Sequence, residues 1–299
     1  MQSENRTPRR RRRQRGRLLT TAAGLLARVR ASLEDGGIES AEREAEWLVE
    51  AVTGMGRGAI ALERSPIDEE VEGRVLELVR RRIAGEPLQY LTGVAGFRRL
   101  TLAVGPGVLI PRPETELVAE RAIALLAGGG TVVDVGTGSG AIALAIADER
   151  PDARVLATES LAEAMSWAAK NRALLDLDVE LVPCDLLSGL PAGLRGEIDV
   201  VVANPPYVAS SDRDSLPPEV VDHEPHGALF AGEDGLAVLT RLSEDARGWL
   251  RRGGYLVLEI GLGQDSDATS LLNGLGYEDV AVSEDLAGRA RVVSARWPG

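Results

Sequence analysis

Residues 131–148 run from the apolar stretch Thr131, Val132, Val133, Asp134, Val135 through Gly136, Thr137, Gly138, Ser139 and Gly140 into an alanine-rich segment. A β-branched run cut short by alternate glycines and resumed as good helix formers reads as a strand, a tight turn and a helix start. From residue 131 onward short apolar runs and helical patterns alternate, as in a parallel sheet covered by helices on both faces. The end of the chain differs. Residues 277–282 and 289–296 read as strands joined by a short turn, which makes the final strand antiparallel.

The turn narrows the choice of ligand. Glycines let a backbone approach a ligand closely, and a helix N-terminus favours an anionic group. The spacing is Gly-x-Gly-x-Gly, whereas a dinucleotide-binding turn needs Gly-x-Gly-x-x-Gly, and no lysine follows as a Walker phosphate loop requires. Residues 154–158 read as the next strand and end at Glu159, whose carboxylate can accept from both hydroxyls of a ribose. Asp185 follows the strand at residues 179–182 and can accept from an adenine amino group, with Leu186 packing on the ring. Singly, each carboxylate reads as a solvated strand end. Their order along the chain points to an adenosine site. In open sheets the ligand lies beyond the carboxyl ends of the strands, where Asp134, Glu159, Asp185 and Asn204 all fall.

Asn204, Pro205, Pro206 and Tyr207 close the apolar strand at residues 198–203 and point to methyl transfer onto a planar nitrogen. An amide or exocyclic amino nitrogen is a poor nucleophile because its lone pair is delocalised. A site must hold it in line with a reactive methyl and stabilise the positive charge that develops. The Asn204 side-chain carbonyl and the Pro205 backbone carbonyl can accept its two N–H groups. Two prolines, with fixed φ and no N–H, stiffen the turn, and Tyr207 offers a ring face for stacking. Alone, the four residues also read as a Pro-Pro turn after a strand. The glycine loop upstream favours chemistry.

Upstream, residues 18–33, 41–52 and 68–84 carry apolar side chains at helical spacing, with Asp68 placed as an N-cap. They predict a small helical domain over 18–84. Residues 85–107 read as a linker followed by a hairpin, and 108–299 as the catalytic domain. The first 17 residues hold eight arginines against Glu4, a local +7 within an overall −12, so the remainder stands at −19. A charge block without apolar residues reads as a disordered tail, open to contact with RNA or ribosomes, and the acidic body argues against broad phosphate-backbone binding. No apolar run reaches the length of about 18 residues that crosses a bilayer, and none follows the basic N-terminus as a secretory signal would. Cys184 is the single cysteine, which excludes an internal disulfide, and it reads as a packed small residue. A cytoplasmic protein is expected. His223 and His226 have a metal-pair spacing, but Pro225 between them argues against a helix, and no metal is expected.

Four further stretches complete the pattern: Glu86-Pro-Leu-Gln-Tyr-Leu-Thr-Gly93, Gly107-Val-Leu-Ile-Pro-Arg-Pro-Glu-Thr-Glu116, Glu224-Pro225 leading to Ala228 through Leu236, and Glu259-Ile-Gly261 with Gln264. With these the chain, from about residue 18 to its end, resembles the class I S-adenosylmethionine-dependent methyltransferases. Within them it resembles the HemK/PrmC family of protein-(glutamine-N5) methyltransferases that modify peptide chain release factors. Asn-Pro-Pro-Tyr also occurs in nucleic-acid methyltransferases; the Ile-Pro-Arg-Pro-Glu-Thr-Glu stretch is far more specific. The resemblance implies a seven-stranded, mostly parallel sheet and in-line methyl transfer from S-adenosylmethionine, with S-adenosylhomocysteine as product. The acceptor it implies is the glutamine of a Gly-Gly-Gln loop, gripped with help from the helical domain. It puts the cofactor on Asp134, Gly136, Thr137, Gly138, Ser139, Gly140, Glu159, Asp185, Leu186 and Asn204. It puts the glutamine on Asn204, Pro205, Pro206 and Tyr207, with Asn204, Pro205 and Tyr207 as the catalytic group. Glu159 stands where Asp is common, and Leu186 where some members carry Trp, which removes an aromatic face worth about 1 kcal/mol. The alternative is methylation of an exocyclic amino group on a nucleic-acid base.

Overall fold

The computed structural model describes residues 20–63, 65–126 and 128–299. The arginine-rich stretch expected to be a tail lies outside the described residues. The chain divides into two compact units with the boundary between Ala84 and Gly85.

The first unit is helical: α1 (Ala22–Asp35), α2 (Ala41–Thr53), the short α3 (Arg57–Leu62) and α4 (Glu69–Ile83). Helix α1 starts at Ala22 because the Thr21 hydroxyl caps it, accepting from Gly24 N at 3.3 Å. Its buried stripe, Ala22, Leu25, Val29 and Leu33, has the spacing of a single helix face. Asp68 caps α4 by accepting from Glu70 N at 2.8 Å. Three acidic residues in the first turn of α4 and three arginines in its last complement the helix dipole. Glu44 of α2, 5 % exposed, is held by Arg82 of α4 at 2.6 Å, which gives a buried charge its required partner.

The second unit opens with α5 (Leu88–Thr92) and an antiparallel hairpin, β1 (Val94–Phe97) and β2 (Leu100–Ala103). Residues 85–107 are therefore not a free connection. Tyr90, Ala95 and Val104 form a small core with Val108 and Ile110, and the Tyr90 hydroxyl donates to Val108 O at 2.6 Å. There follow α6 (Thr115–Leu125), β3 (Gly130–Val135), α7 (Ala141–Glu149), β4 (Ala153–Glu159), α8 (Ala162–Leu175), β5 (Glu180–Pro183) and β6 (Ile198–Ala203). The chain continues through α9 (Pro218–His223), α10 (Ala237–Ala246), β7 (Leu250–Glu259), α11 (Asp265–Gly274), β8 (Glu278–Glu284) and β9 (Ala290–Arg296).

Seven of these strands form one sheet in the order β5-β4-β3-β6-β7-β9-β8. Strands β3 to β7 pair in parallel, and β9 runs antiparallel to both β7 and β8. Side chains alternate across the sheet. Val132, Val155, Val200, Val202 and Val257 face α6 and α7, while Val133, Leu156, Val201, Leu256 and Leu258 face α10 and α11. Burying a side chain of this kind contributes about 1.5–3 kcal/mol, so the two-sided burial explains why the strands are continuous apolar runs. After β3 the chain steps outward to β4 and β5 and then returns to the other side of β3 with β6. This reversal opens a crevice beyond the carboxyl ends of β3, β4 and β6.

Candidate active site

The loop after β3 is shaped by backbone that only glycine adopts freely. Gly136, Gly138 and Gly140 have φ of 69°, 58° and 87°. At Gly140 a Cβ would lie 2.8 Å from Leu144 Cδ1, so the start of α7 has no room for a side chain. Asp134 lies beneath the loop and does not line the cavity above it. Its Oδ2 accepts from Thr137 Oγ1 at 2.6 Å and from Ala143 N at 3.1 Å, which ties the loop to α7. Burial pushes its carboxyl up to about 7, against the lowering effect of those two bonds, and Oδ1 is buried without a partner.

The crevice holds a cavity of about 320 Å³, within the usual size of small-molecule sites, about 300–1,000 Å³. Gly136, Thr137, Gly138, Ser139, Glu159, Asp185, Leu186, Asn204, Pro205 and Pro206 all line it. Of the residues expected here, Asp134 and Gly140 do not line the cavity, Asp134 because its carboxylate is turned to Thr137 and Ala143, and two details go beyond the sequence. Glu159 Oε1 accepts from Ser160 N at 2.8 Å and Leu161 N at 2.9 Å, while Oε2 accepts from Gly138 N at 3.0 Å. The longer side chain folds back to brace the strand end and the glycine loop, leaving about one of its four acceptor positions for a ligand. Asp185 is paired with Arg241 Nη2 at 2.6 Å, both side chains more than half exposed. Arg241 and Leu161 also line the cavity. No local motif marks either of them.

A second cavity, of about 240 Å³, shares Leu109, Asn204 and Ala228 with the first and is otherwise walled by Arg112, Tyr207, Val208, Leu216, Val220 and Leu229. Tyr207 belongs to this cavity alone, and Asn204 stands between the two. Asn204 Nδ2 donates to Thr115 Oγ1 at 3.1 Å, which turns Oδ1 into the free acceptor of that amide. No hydrogen bond among the described residues occupies the Pro205 carbonyl.

The walls are tied to one another. Gln264 Nε2 donates to Tyr207 O at 3.1 Å while its Oε1 accepts from Gly261 N at 2.8 Å. Glu224, 4 % exposed, accepts from Ile110 N at 3.3 Å and pairs with Arg112 Nη2 at 2.5 Å. Burial raises its pKa against the pull of that arginine. The long connection at residues 208–235 contributes Val208, Leu216, Val220, Ala228 and Leu229 to the second cavity and contains α9. His226 Nε2 lies 2.9 Å from Val221 O and its ring meets Phe230 edge-on.

The first cavity fits S-adenosylmethionine. A Cβ on Gly136 would meet nothing within 4 Å, so the loop leaves open space where a ligand backbone can lie, and an acidic strand end faces it at Glu159. Family models described as the PrmC N-terminal domain and the methyltransferase small domain match residues 24–93 and 115–223. The release factor glutamine methyltransferase of Streptomyces coelicolor is 40 % identical over 276 residues, 91 % of this chain and 96 % of that one. That of Deinococcus radiodurans is 40 % identical over 278 residues, 92 % and 98 % of the two chains. The crystal structure of a methyltransferase from Pyrococcus furiosus shares the fold, with a TM-score of 0.50 at 20 % identity over 78 % of this chain and 100 % of that one. Likeness of this extent along both units and nearly the whole of each relative leaves one conclusion: the chain belongs to the release factor glutamine methyltransferase family.

Proposed function

We propose that this protein methylates the side-chain amide nitrogen of the glutamine in the Gly-Gly-Gln motif of peptide chain release factors, using S-adenosylmethionine. The observation that carries the reading is the place of Asn204 between two cavities, with its amide nitrogen engaged by Thr115 and its oxygen free. S-adenosylmethionine, when bound, supplies a methyl group made electrophilic by a sulfonium. Gly136 to Gly140, Glu159, Asp185 and Leu186 are assigned to hold it, and the remaining acceptor capacity of Glu159 limits its ribose contact to about one hydrogen bond.

In the second cavity Asn204 Oδ1 and Pro205 O accept the two N–H groups of the glutamine amide. Two acceptors hold the nitrogen flat and favour the positive charge it develops, and the rigid Pro-Pro turn keeps them from relaxing. Tyr207 packs a ring against the amide from the cavity wall. Neither histidine of the 208–235 connection is needed as a base, because the nitrogen becomes acidic once it carries the methyl. The helical unit is assigned to gripping the release factor, and a substrate that works in translation supports a cytoplasmic enzyme.

Mass spectrometry of a release factor incubated with enzyme and S-adenosylmethionine tests the reading. One added methyl, mapped to the glutamine of Gly-Gly-Gln, is expected. Transfer of label to tRNA, rRNA or DNA with none to the release factor would give the site to a nucleic-acid base instead.

A further inference from the structure

The glutamine amide of the reaction proposed above, on which this inference rests, has a carbonyl oxygen as well as two N–H groups, and that oxygen requires a donor. Among the described residues that wall the second cavity, the polar side chains are Arg112, Asn204 and Tyr207. The Asn204 nitrogen is spent on Thr115, and Tyr207 is assigned to pack by its ring. Arg112 remains. Its Nη2 donates to Glu224, and neither Nε nor Nη1 has a hydrogen-bond partner among the described residues.

A bare guanidinium at this place would work against the reaction twice. Its charge would oppose the positive charge that the amide nitrogen develops, and it would draw in a glutamate carboxylate, isosteric with the amide, through charge-assisted hydrogen bonds. Glu224 removes both effects. Its side chain is 1 % exposed against 32 % for Arg112, and it lines neither cavity, so it cancels the charge without presenting a carboxylate to the substrate. Oε1 accepts from Arg112 Nη2 at 2.5 Å and Oε2 from Ile110 N at 3.3 Å, which fixes the carboxylate against the stretch that carries Arg112. The pair offers the pocket a hydrogen-bond donor with no net charge.

We infer that Arg112 donates to the carbonyl oxygen of the substrate glutamine and that Glu224, acting through Arg112, is a specificity-determining residue that makes the pocket accept a carboxamide and refuse a carboxylate. Charge and packing are separable here, because Glu224→Gln keeps the volume and an acceptor for Arg112 but leaves the guanidinium uncancelled. A strut that only joined residues 110–112 to the 208–235 connection would, when weakened, lower the affinity for both side chains alike. A charge-cancelling residue changes their ratio.

The test uses the full-length enzyme with S-adenosylhomocysteine and two release factors, one with Gly-Gly-Gln and one with that glutamine changed to glutamate, and calorimetry gives the Kd of each. Wild-type enzyme is expected to bind the glutamine form at least about tenfold more tightly. Glu224→Gln should shrink that ratio by about tenfold or more, chiefly through tighter binding of the glutamate form, and should lower kcat on the glutamine form about tenfold. Arg112→Met with Glu224→Gln leaves neither charge in place, so the glutamate form should return to its wild-type weakness. With its donor gone, this double variant should also lose about tenfold or more in kcat/KM for release factor while Kd for S-adenosylhomocysteine stays within about threefold. The double variant carries the test should Glu224→Gln fail to fold. An unchanged ratio in folded Glu224→Gln would overturn the inference, as would wild-type kcat/KM in the double variant. Failure of the wild-type enzyme to methylate release factor would instead remove the proposed reaction, and the role of Glu224 with it.

Discussion

The chemical role proposed for Asn204 rests on how one common residue at a strand end is held. Asparagine after a strand is an ordinary turn former; what separates this one is that its nitrogen is spent on Thr115, 89 positions away in the chain. The oxygen left over is an acceptor of fixed direction, and such preorganised groups stabilise developing charge because they need not reorient during the reaction. Removing one preorganised polar group of this kind costs about 10²–10³ in kcat. Asn204→Ala is accordingly expected to lower kcat by about that factor while the affinity for S-adenosylmethionine, measured by calorimetry, changes little, since most of that site's wall is untouched. A methylation rate equal to wild type in the purified variant would remove Asn204 from the chemistry.

At the scale of elements, what the sequence made legible was local. The β3 turn with α7, the end of β4 at Glu159 and the turn after β6 each carry their signal within a few residues, so strand ends and glycine spacing sufficed. Contacts that depend on the whole sheet were not legible: the bracing of Glu159 against Gly138, the pairing of Asp185 with Arg241, and the reach of Gln264 to Tyr207. Helix α5 escaped because five residues between Pro87 and Gly93 give too short a period to recognise. The reach of Gln264 leads to a prediction about the turn after β6. Gly235, with φ of 75°, lies against that turn so closely that a Cβ would fall 2.3 Å from Tyr207 O and 2.9 Å from Gln264 Nε2. Gly263 has a similar φ of 80° and nothing within 4 Å of a Cβ. Both substitutions to alanine incur left-handed strain, about 1–2 kcal/mol. Only Gly235→Ala must also displace the turn after β6. Urea denaturation should show Gly235→Ala the less stable of the two, and its kcat should fall at least about tenfold while Gly263→Ala stays near wild type. Equal kcat in the two variants would mean that the turn tolerates the displacement.

For the molecule as a whole, two buried carboxyls, one on β3 and one at the end of β7, set the sign of the pH dependence of stability. Asp134 and Glu259 are each raised to about 7, in both cases chiefly by burial. A carboxyl whose pKa is higher folded than unfolded binds its proton more tightly in the native state. The stability it contributes is complete below the ordinary carboxylate range and is lost as pH rises toward about 7. Glu149, held below its ordinary range by Arg98, works in the opposite sense, but its contribution changes only at pH below that range. Between about pH 5 and 7.5 the raised pair therefore dominates, and the charge of −19 on residues 18–299 adds repulsion in the same direction as the last carboxyls ionise. The melting temperature is expected to fall from pH 5 to pH 8. Asp134→Asn keeps an acceptor for Thr137 and Ala143 but has no proton to lose, so it should flatten this fall by an amount on the order of a few kcal/mol in unfolding free energy. Calorimetry of both proteins at pH 5, 6.5 and 8 decides the matter: an equally steep fall in Asp134→Asn would show that Asp134 is ionised in the native protein throughout this range, and that the loop after β3 rests on a charge rather than on a buried acid.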